Sequence, residues 1–550
     1  MKYTIIVLLI SLIGFNTSFA NDLKQIPENT EIQSIQKKSL SEKINDKFEP
    51  FVNGMAKILF WDPFTAMGIY DPVVYHDDGT PFIDENGKPV EKRIPFIVVW
   101  LVLGAIFFTI RMKFVNIRGF KHSIELVQGK FDNPDDAGEV SHFQALATAL
   151  SGTVGLGNIA GVAIAITIGG PGATFWMIIA GLIGMSSKFV EVTLGVKYRT
   201  INAFGEVSGG PMHYLSKGLA KKGTAFKYLG IGLAFVYAIL VIGASFGGGN
   251  MFQSNQAFQQ FEMLVPALQG HGAYFGVGMA VLVGIVIIGG IKGIAKVTEK
   301  IVPVMAVLYL IAAVVIIAMD IKEIGHVFSM IYNGAFNPEA LKGGVLGVII
   351  VGFQRAAFSN EAGIGSASIA HSAVKTDEPI SEGIVALLEP FVDTVIICSL
   401  TAFVIIFTGY QNPELAAGLD GAQLTSKAFG SVFSWFPYVL VVAIMLFAFS
   451  TMISWSYYGL KGFDYLFGNI FEKYTGKRSY AKYVFFLIFL LFTVVGAASS
   501  MGAVMDFADM MILSMAFPNI IGLLILSPEV YSDLKSYFAR IKSGEIKRFK

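Results

Sequence analysis

Residues 150–161 read LSGTVGLGNIAG: four glycines with Ser151, Thr153 and Asn158, inside an otherwise apolar stretch. Residues that let a helix unwind, set beside hydroxyl and amide oxygens, suit the binding of a small polar solute or a cation. Unwinding frees backbone N–H and C=O groups, which a bilayer tolerates only where they are buried or line a cavity. Glycine weakens the helix and admits φ values that other residues resist. Small-residue helix packing accounts for Gly157 and Gly161, but not for a Thr and an Asn flanking Gly155 and Gly157. A second stretch, SNEAGIGSASIA at 359–370, repeats the pattern. AGIGS at 362–366 answers VGLGN at 154–158, pairing Gly155 with Gly363 and Gly157 with Gly365 at a spacing of 208 residues.

The surrounding chain sets the medium. Of its 550 residues 54% are hydrophobic and 15% charged, against roughly 25% charged in a soluble domain. Apolar runs near 20 residues recur, the pattern of an all-α polytopic membrane protein. We place about eleven transmembrane helices near 95–112, 143–168, 173–197, 227–250, 273–291, 301–319, 343–374, 382–408, 436–458, 482–498 and 503–526. Lys and Arg in the short loops alternate strongly between sides, 26 against three, which orients the chain with its C-terminus cytoplasmic. The start, MKYTIIVLLISLIGFNTSFAND, reads as a signal peptide over 1–20, with a short uncleaved anchor as the alternative. The expected domains are that peptide, an extracytoplasmic extension at 21–94, a transmembrane domain at 95–526 and a basic cytoplasmic tail at 527–550. Within the extension, YHDDGTPFIDENGKPVEKR suits an exposed hairpin-like insert. The N-terminus is therefore expected outside and the chain in a bacterial inner membrane.

With this orientation the second span runs outward and the seventh inward. Two Gly-interrupted spans of opposite direction, five spans apart, are what an inverted repeat places around a midplane site. The segments ALATALSGTVGLGNIAGVAIAI, GGPGATFWMIIAGLIGMSSKFVE, SGGPMHYL, AFSNEAGIGSASIAHSA and FAFSTMISWSYYG resemble the alanine or glycine:cation symporter family, the amino acid carrier proteins. The resemblance covers nearly all of the chain after residue 95. It departs at 175–178, FWMI where the family reads nearer FWMW, and at the N-terminal extension. It implies a leucine-transporter-type five-plus-five inverted repeat with one additional N-terminal span. The implied activity is symport of a small neutral amino acid, alanine or glycine, with sodium, or with protons in some members.

A zwitterion requires partners for both its charges once water is shed. Its carboxylate suits the amides of Leu156, Gly157 and Asn158, where a half-helix begins with a positive dipole end. Its ammonium suits carbonyls released from Ser151 to Thr153 and from Phe358, Ser359 and Asn360. By resemblance, sodium lies between the carbonyls of Ser151 and Val154 and the hydroxyls of Ser450 and Thr451. Those hydroxyls can instead bond back within their own helix. Trp455, one turn beyond Thr451, is the expected pocket wall, and Gln253 the expected pocket amide. Packing and loop-facing roles remain open for both.

Charges inside spans default to function or pairing. Arg355 is expected to pair with Glu389 or Asp393, with Glu361 as the third candidate, and to steady or gate the broken helix. Lys188 is expected to extend toward the cytoplasm, and His371 to be a plain helix-end residue. Cys398 is isolated, so no disulfide framework exists. No P-loop, His-x-x-x-His or paired Cys appears, so no enzyme, ATP-driven pump or cofactor beyond the coupling ion is expected. The net charge of +1 gives no pull toward nucleic acid. A channel built on glycine-lined breaks remains the physical alternative. Oligomeric state is left open.

Overall fold

The computed structural model describes residues 93–549 apart from 134, 203–204, 320, 337–343, 420 and 433–434, together with 42–48, 50, 52, 60–69, 71–73, 80, 81, 83 and 89. The expected signal peptide and much of the extension lie outside the described residues. In the insert, Ile83 pairs antiparallel with Pro89, as a hairpin requires.

Helix α1 (Phe96–Arg111) precedes the first broken pair, α2 (His142–Thr153) and α3 (Val162–Gly169). A capping box starts α2: Ser141 Oγ accepts from the Gln144 amide at 3.2 Å, and Gln144 Oε1 accepts from the Ser141 amide at 3.1 Å. Between α2 and α3 the chain turns through 154–156 and a π-helical turn at Gly157–Gly161; the two arms meet at 52°. Then follow α4 (Gly172–Lys197), α5 (Thr224–Phe246), α6 (Phe252–Leu264), α7 (Gly272–Ile287) and α8 (Gly290–Met319). The second half opens with α9 (Gly344–Asn360), a break, and α10 (Ala367–His371). Next come α11 (Pro379–Val385) and α12 (Ser399–Phe407), linked in one 29-residue helical stretch from Pro379 to Phe407. The chain continues with α13 (Phe436–Thr475), α14 (Ser479–Ala498), α15 (Met501–Ser514) and α16 (Ala516–Ser543).

Among the described residues seven helical stretches are long and apolar enough to cross a membrane, and the bent pair makes an eighth. Phe96–Arg111, Gly272–Ile287 and Val345–Asn360 are shorter apolar helices. Each expected span overlaps one of these, the seventh, expected over 343–374, being helical only to Asn360 before its break. Many of the large apolar side chains on α5, α8 and α14, such as Tyr228, Val304 and Leu487, face outward, which water disfavours and lipid accepts. The 40 residues of α13 extend about 60 Å, twice a hydrocarbon core, so its Lys-bearing end projects beyond the apolar layer.

Helix α4 runs through the middle, packed against α1, α9 and α11, while α13 packs on α2 and α5. These contacts set the two breaks side by side.

Candidate functional site

The two breaks differ in how glycine makes them. At the second, Glu361, Gly363 and Gly365 take φ of +57°, +86° and +88°, the left-handed region in which a side chain costs energy. At the first, none of the glycines has positive φ. Gly155 is needed there for close approach, because a Cβ would collide with Thr451 Oγ1 and lie 3.1 Å from Gln253 Oε1. The expected unusual φ is thus found at one break, and steric clearance rules the other.

Groups freed by unwinding are taken up by side chains from neighbouring helices. At the first break, Asn158 Oδ1 accepts from the Gly155 amide at 2.9 Å and Gln253 Oε1 from the Leu156 amide at 3.1 Å. Thr401 Oγ1 donates to the Asn158 carbonyl at 2.8 Å, and Thr425 Oγ1 to that of Ile159 at 3.1 Å. At the second, Tyr237 donates to the Ile364 carbonyl at 3.0 Å and Asn519 to that of Gly363 at 2.9 Å. This is irregular backbone satisfied inside protein, as the bilayer demands. Thr153 Oγ1 remains on its own helix, 3.3 Å from the Ala149 carbonyl.

Two side chains join the breaks. Asp393 accepts from Asn158 Nδ2 at 2.6 Å on Oδ1, and from Ser359 Oγ and Thr394 Oγ1, each at 2.8 Å, on Oδ2. Trp455 Nε1 donates to Glu361 Oε1 at 3.0 Å and lies 3.3 Å from the Gly152 carbonyl. Gln253, held also by the Gly248 carbonyl at 2.9 Å, braces the first break, while Phe252 meets Phe358 of the second edge-on at 5.2 Å. Asn360 Nδ2 donates to Thr394 Oγ1 at 2.9 Å, and its Oδ1 accepts from the Ala362 amide at 3.0 Å. Gln253 therefore faces the first break, and Trp455 is walled in between the two with 1% exposure.

At the expected cation site, α2 and α13 do meet. Ser151 Oγ donates to the Ser450 carbonyl at 2.7 Å. Ser450 Oγ, however, turns to its own helix and bonds the Phe447 carbonyl at 3.0 Å. Thr451 Oγ1 is buried beside Gly155 with no hydrogen-bond partner. A buried hydroxyl with no partner is costly and fits a ligand oxygen. Val154, fully buried, carries the last turn of α2 to this point.

The charges pair differently from the expectation. Arg355 binds Asp509 of α15, with Gln354 Nε2 3.0 Å from the same carboxylate oxygen; it does not reach Glu389, Asp393 or Glu361. Its guanidinium lies over the Phe358 ring at 5.5 Å. Lys188 does not extend to water: it is fully buried, 3.0 Å from Glu389 Oε1. His371 is buried between Glu382 and Glu389. Sequence reasoning missed Asp509, Glu382 and His142. For Asp509 the signal was present, an acidic residue in the apolar run VMDFADMMIL.

Buried glycine breaks held by side chains from several helices, among helices long and apolar enough to cross a bilayer, define a multi-pass membrane protein. Residues 80–550 match the sodium:alanine symporter family. The sodium/alanine symporter AgcS of Methanococcus maripaludis is 40% identical over 454 residues, covering 82% of this chain and 96% of that protein. A probable sodium/glutamine symporter of Bacillus subtilis, GlnT, is 35% identical over 82% of this chain and 89% of its own length. A solved structure of MhsT in complex with L-phenylalanine superposes on 72% of this chain, and on 98% of its own, with a TM-score of 0.48 and 14% identity. The chain belongs to the sodium:alanine symporter family, and its activity is cation-coupled amino acid symport.

Proposed function

We propose that the chain carries a small neutral amino acid, alanine first and glycine second, inward with sodium. The observation that carries this is the convergence of both breaks on shared buried partners: Asn158 and Ser359 on Asp393, Gly152 and Glu361 on Trp455. A solute held there touches both halves at once, so its binding can bias their relative movement. The substrate carboxylate approaches the half-helix that starts at Gly157, displacing Asn158 and Gln253 side chains from the Gly155 and Leu156 amides. The ammonium turns toward carbonyls at Ser151–Thr153 and Phe358–Asn360, with the Asp393 carboxylate behind them. Among the described residues no Lys or Arg pairs with Asp393, so its charge is available to a cation.

Sodium takes carbonyls of Ser151 and Val154 with Thr451 Oγ1, and Ser450 joins only if its hydroxyl turns from Phe447. Trp455, seated against Gly249 where a Cβ would collide with it, limits the side chain accepted. Inner-membrane placement with a cytoplasmic C-terminus follows the Lys and Arg distribution. In the test, purified protein is titrated with labelled alanine in sodium or choline chloride, and a panel of unlabelled amino acids competes. Sodium-dependent binding displaced by glycine and not by leucine supports the reading. Binding equal in both salts removes sodium from it, and displacement by leucine or glutamine before glycine removes the size limit.

A further inference from the structure

On the Lys- and Arg-rich face the start of the first broken helix is clamped to the end of the second. The Glu139 amide donates to the Ala373 carbonyl at 2.7 Å, and the Lys375 amide to that of Val140 at 2.8 Å. Arg199, two residues past the end of α4, spans the same seam. It donates to the carbonyls of Ala137 at 2.8 Å, Ser372 at 3.0 Å and Thr376 at 2.7 Å. Gly138 packs so closely on the Val374 carbonyl that a Cβ would overlap it. Alternating access has to part this seam if the face is to open.

Just inside lie two histidines, one on each broken helix. His142, the first residue of α2, places Nδ1 against Glu382 Oε2, and its Nε2 is 3.9 Å from Asp132 Oδ1. His371, the last residue of α10, places Nδ1 2.5 Å from Glu382 Oε1, and its Nε2 is 3.5 Å from Glu389 Oε2. Each imidazole therefore faces a carboxylate on both ring nitrogens. A neutral imidazole has one N–H and one acceptor nitrogen; only the doubly protonated ring donates from both. Glu382 is shared, one oxygen to each ring. The His371 Nε2 and Glu389 Oε2 atoms are fully buried and lack any hydrogen bond, although they face each other. Glu389 passes on to Lys188, which lies 3.9 Å from Glu191, itself 3.1 Å from Asn519. The chain thus runs from Asp132, 40% exposed, to the helices that hold the second break. The other charged groups within electrostatic reach are Arg199, Asp136 and Asp377 at the seam, and Glu361 and Asp393 on the inner side.

We propose that His142 and His371, with Glu382 as their common acceptor, form a proton-binding site that closes the seam between 137–142 and 371–376 when loaded. The site gives up a proton to the water on this face when the seam opens. With both rings charged, the fully buried carboxylates of this side-chain series, Glu382, Glu389 and Glu191, match His142, His371 and Lys188, while Asp132 at its outer end is 40% exposed. Loss of one proton leaves a net buried negative charge, which is costly. Parting the seam admits water to both rings, and a solvated imidazole loses its proton above about pH 6.5. Protons therefore favour the closed seam, and opening is linked to proton release. The cation-coupled cycle described above does not require this site.

The proposal rests on the transport reading only in taking this seam as the part that opens, and its test needs no substrate. Spin labels at exposed Asp135→Cys and Lys375→Cys report the seam width in full-length protein in nanodiscs, without sodium or alanine. The expected result is a second, longer distance whose share relative to the short one grows with pH between 5.5 and 8.5. One linked proton sets a limit of about tenfold per pH unit. In the His142→Gln/His371→Gln variant the longer distance is present at every pH and its share no longer changes. Where that variant is not monodisperse, the single variants His142→Gln and His371→Gln replace it, each expected to weaken the pH response. A wild-type distribution independent of pH overturns the proposal, as does an unaltered pH response in the variants. Failed alanine binding alongside a pH-dependent seam would fault the substrate reading and leave this one standing.

Discussion

The indole N–H of Trp455 lies 3.0 Å from Glu361 Oε1 and 3.3 Å from the Gly152 carbonyl, so one side chain of α13 touches both broken helices. Glu361 is held in left-handed backbone at φ +57°, and Ser366 Oγ donates to its other oxygen. Trp455→Phe keeps an aromatic ring, though a smaller one, and deletes the donor, leaving a buried carboxylate oxygen short of a partner at a cost of about 1–3 kcal/mol. Uptake should fall with protein yield unchanged, and Trp455→Leu should fall further. Normal uptake by Trp455→Phe would make the indole a packing element only.

Two glycines of the first break should respond differently to the same small change. A Cβ at Gly155 meets Thr451 Oγ1 and Gln253 Oε1, whereas at Gly161 nothing lies within 4 Å. Gly155→Ala should reduce uptake by about fivefold or more, since overpacking at this point costs roughly 1–3 kcal/mol. Gly161→Ala should leave it unchanged. Initial rates of labelled alanine uptake, normalised to reconstituted protein, check both.

Arg355→Ala leaves Asp509 buried without its cation, a loss of about 3–5 kcal/mol when one partner of a buried pair is removed. Adding Asp509→Asn should restore part of the lost thermal stability and uptake. Adding Glu389→Gln or Asp393→Asn should not. Rescue by either of these instead would contradict the observed pairing.

The hydroxyls of α13 should separate. Thr451 Oγ1 has no partner, whereas Ser450 Oγ bonds the Phe447 carbonyl. Thr451→Ala should raise the sodium concentration for half-maximal uptake by roughly tenfold, the factor for about 1.4 kcal/mol. Ser450→Ala should change it far less. Equal effects would mean that Ser450 turns to the ion.

On the Lys- and Arg-rich face outside the spans, His213 bonds Ser208 Oγ at 2.9 Å. Burial, then Lys217 and Lys461, push its pKa down to about 4. A depressed histidine takes up its proton in the unfolded chain first, so stability falls as pH drops from about 6.5 toward 4. His213→Gln should flatten the loss of melting temperature across that window.

The spans and both breaks were legible because their signals are local: apolar length, and glycines among polar residues at 150–161 and 359–370. Gln253 stood out as an amide in a polar run next to a span, but its bond to the Leu156 amide depends on how α6 packs against the break. Charge partners were not legible, since a pair depends on which helices adjoin. Arg355 could be seen to need an anion, but only the packing of α9 on α15 selects Asp509. The same holds for Lys188, whose long stem suggested an approach to water until α11 and the residues after it closed over it with Glu389. His142 was hidden in plain sequence at the start of an expected span, and its partner Glu382 lies 240 residues away.

The account stands on coupled movement of both broken helices around one solute, and counterflow measures that directly. Proteoliposomes loaded with unlabelled alanine and sodium are diluted into trace labelled alanine, with sodium or choline outside. The account predicts transient accumulation of label above equilibrium that needs sodium and is abolished in Gly155→Leu and Gly363→Leu protein. Label that enters without overshoot and without saturating, at equal rates in choline and with either glycine replaced, would contradict it and leave a channel.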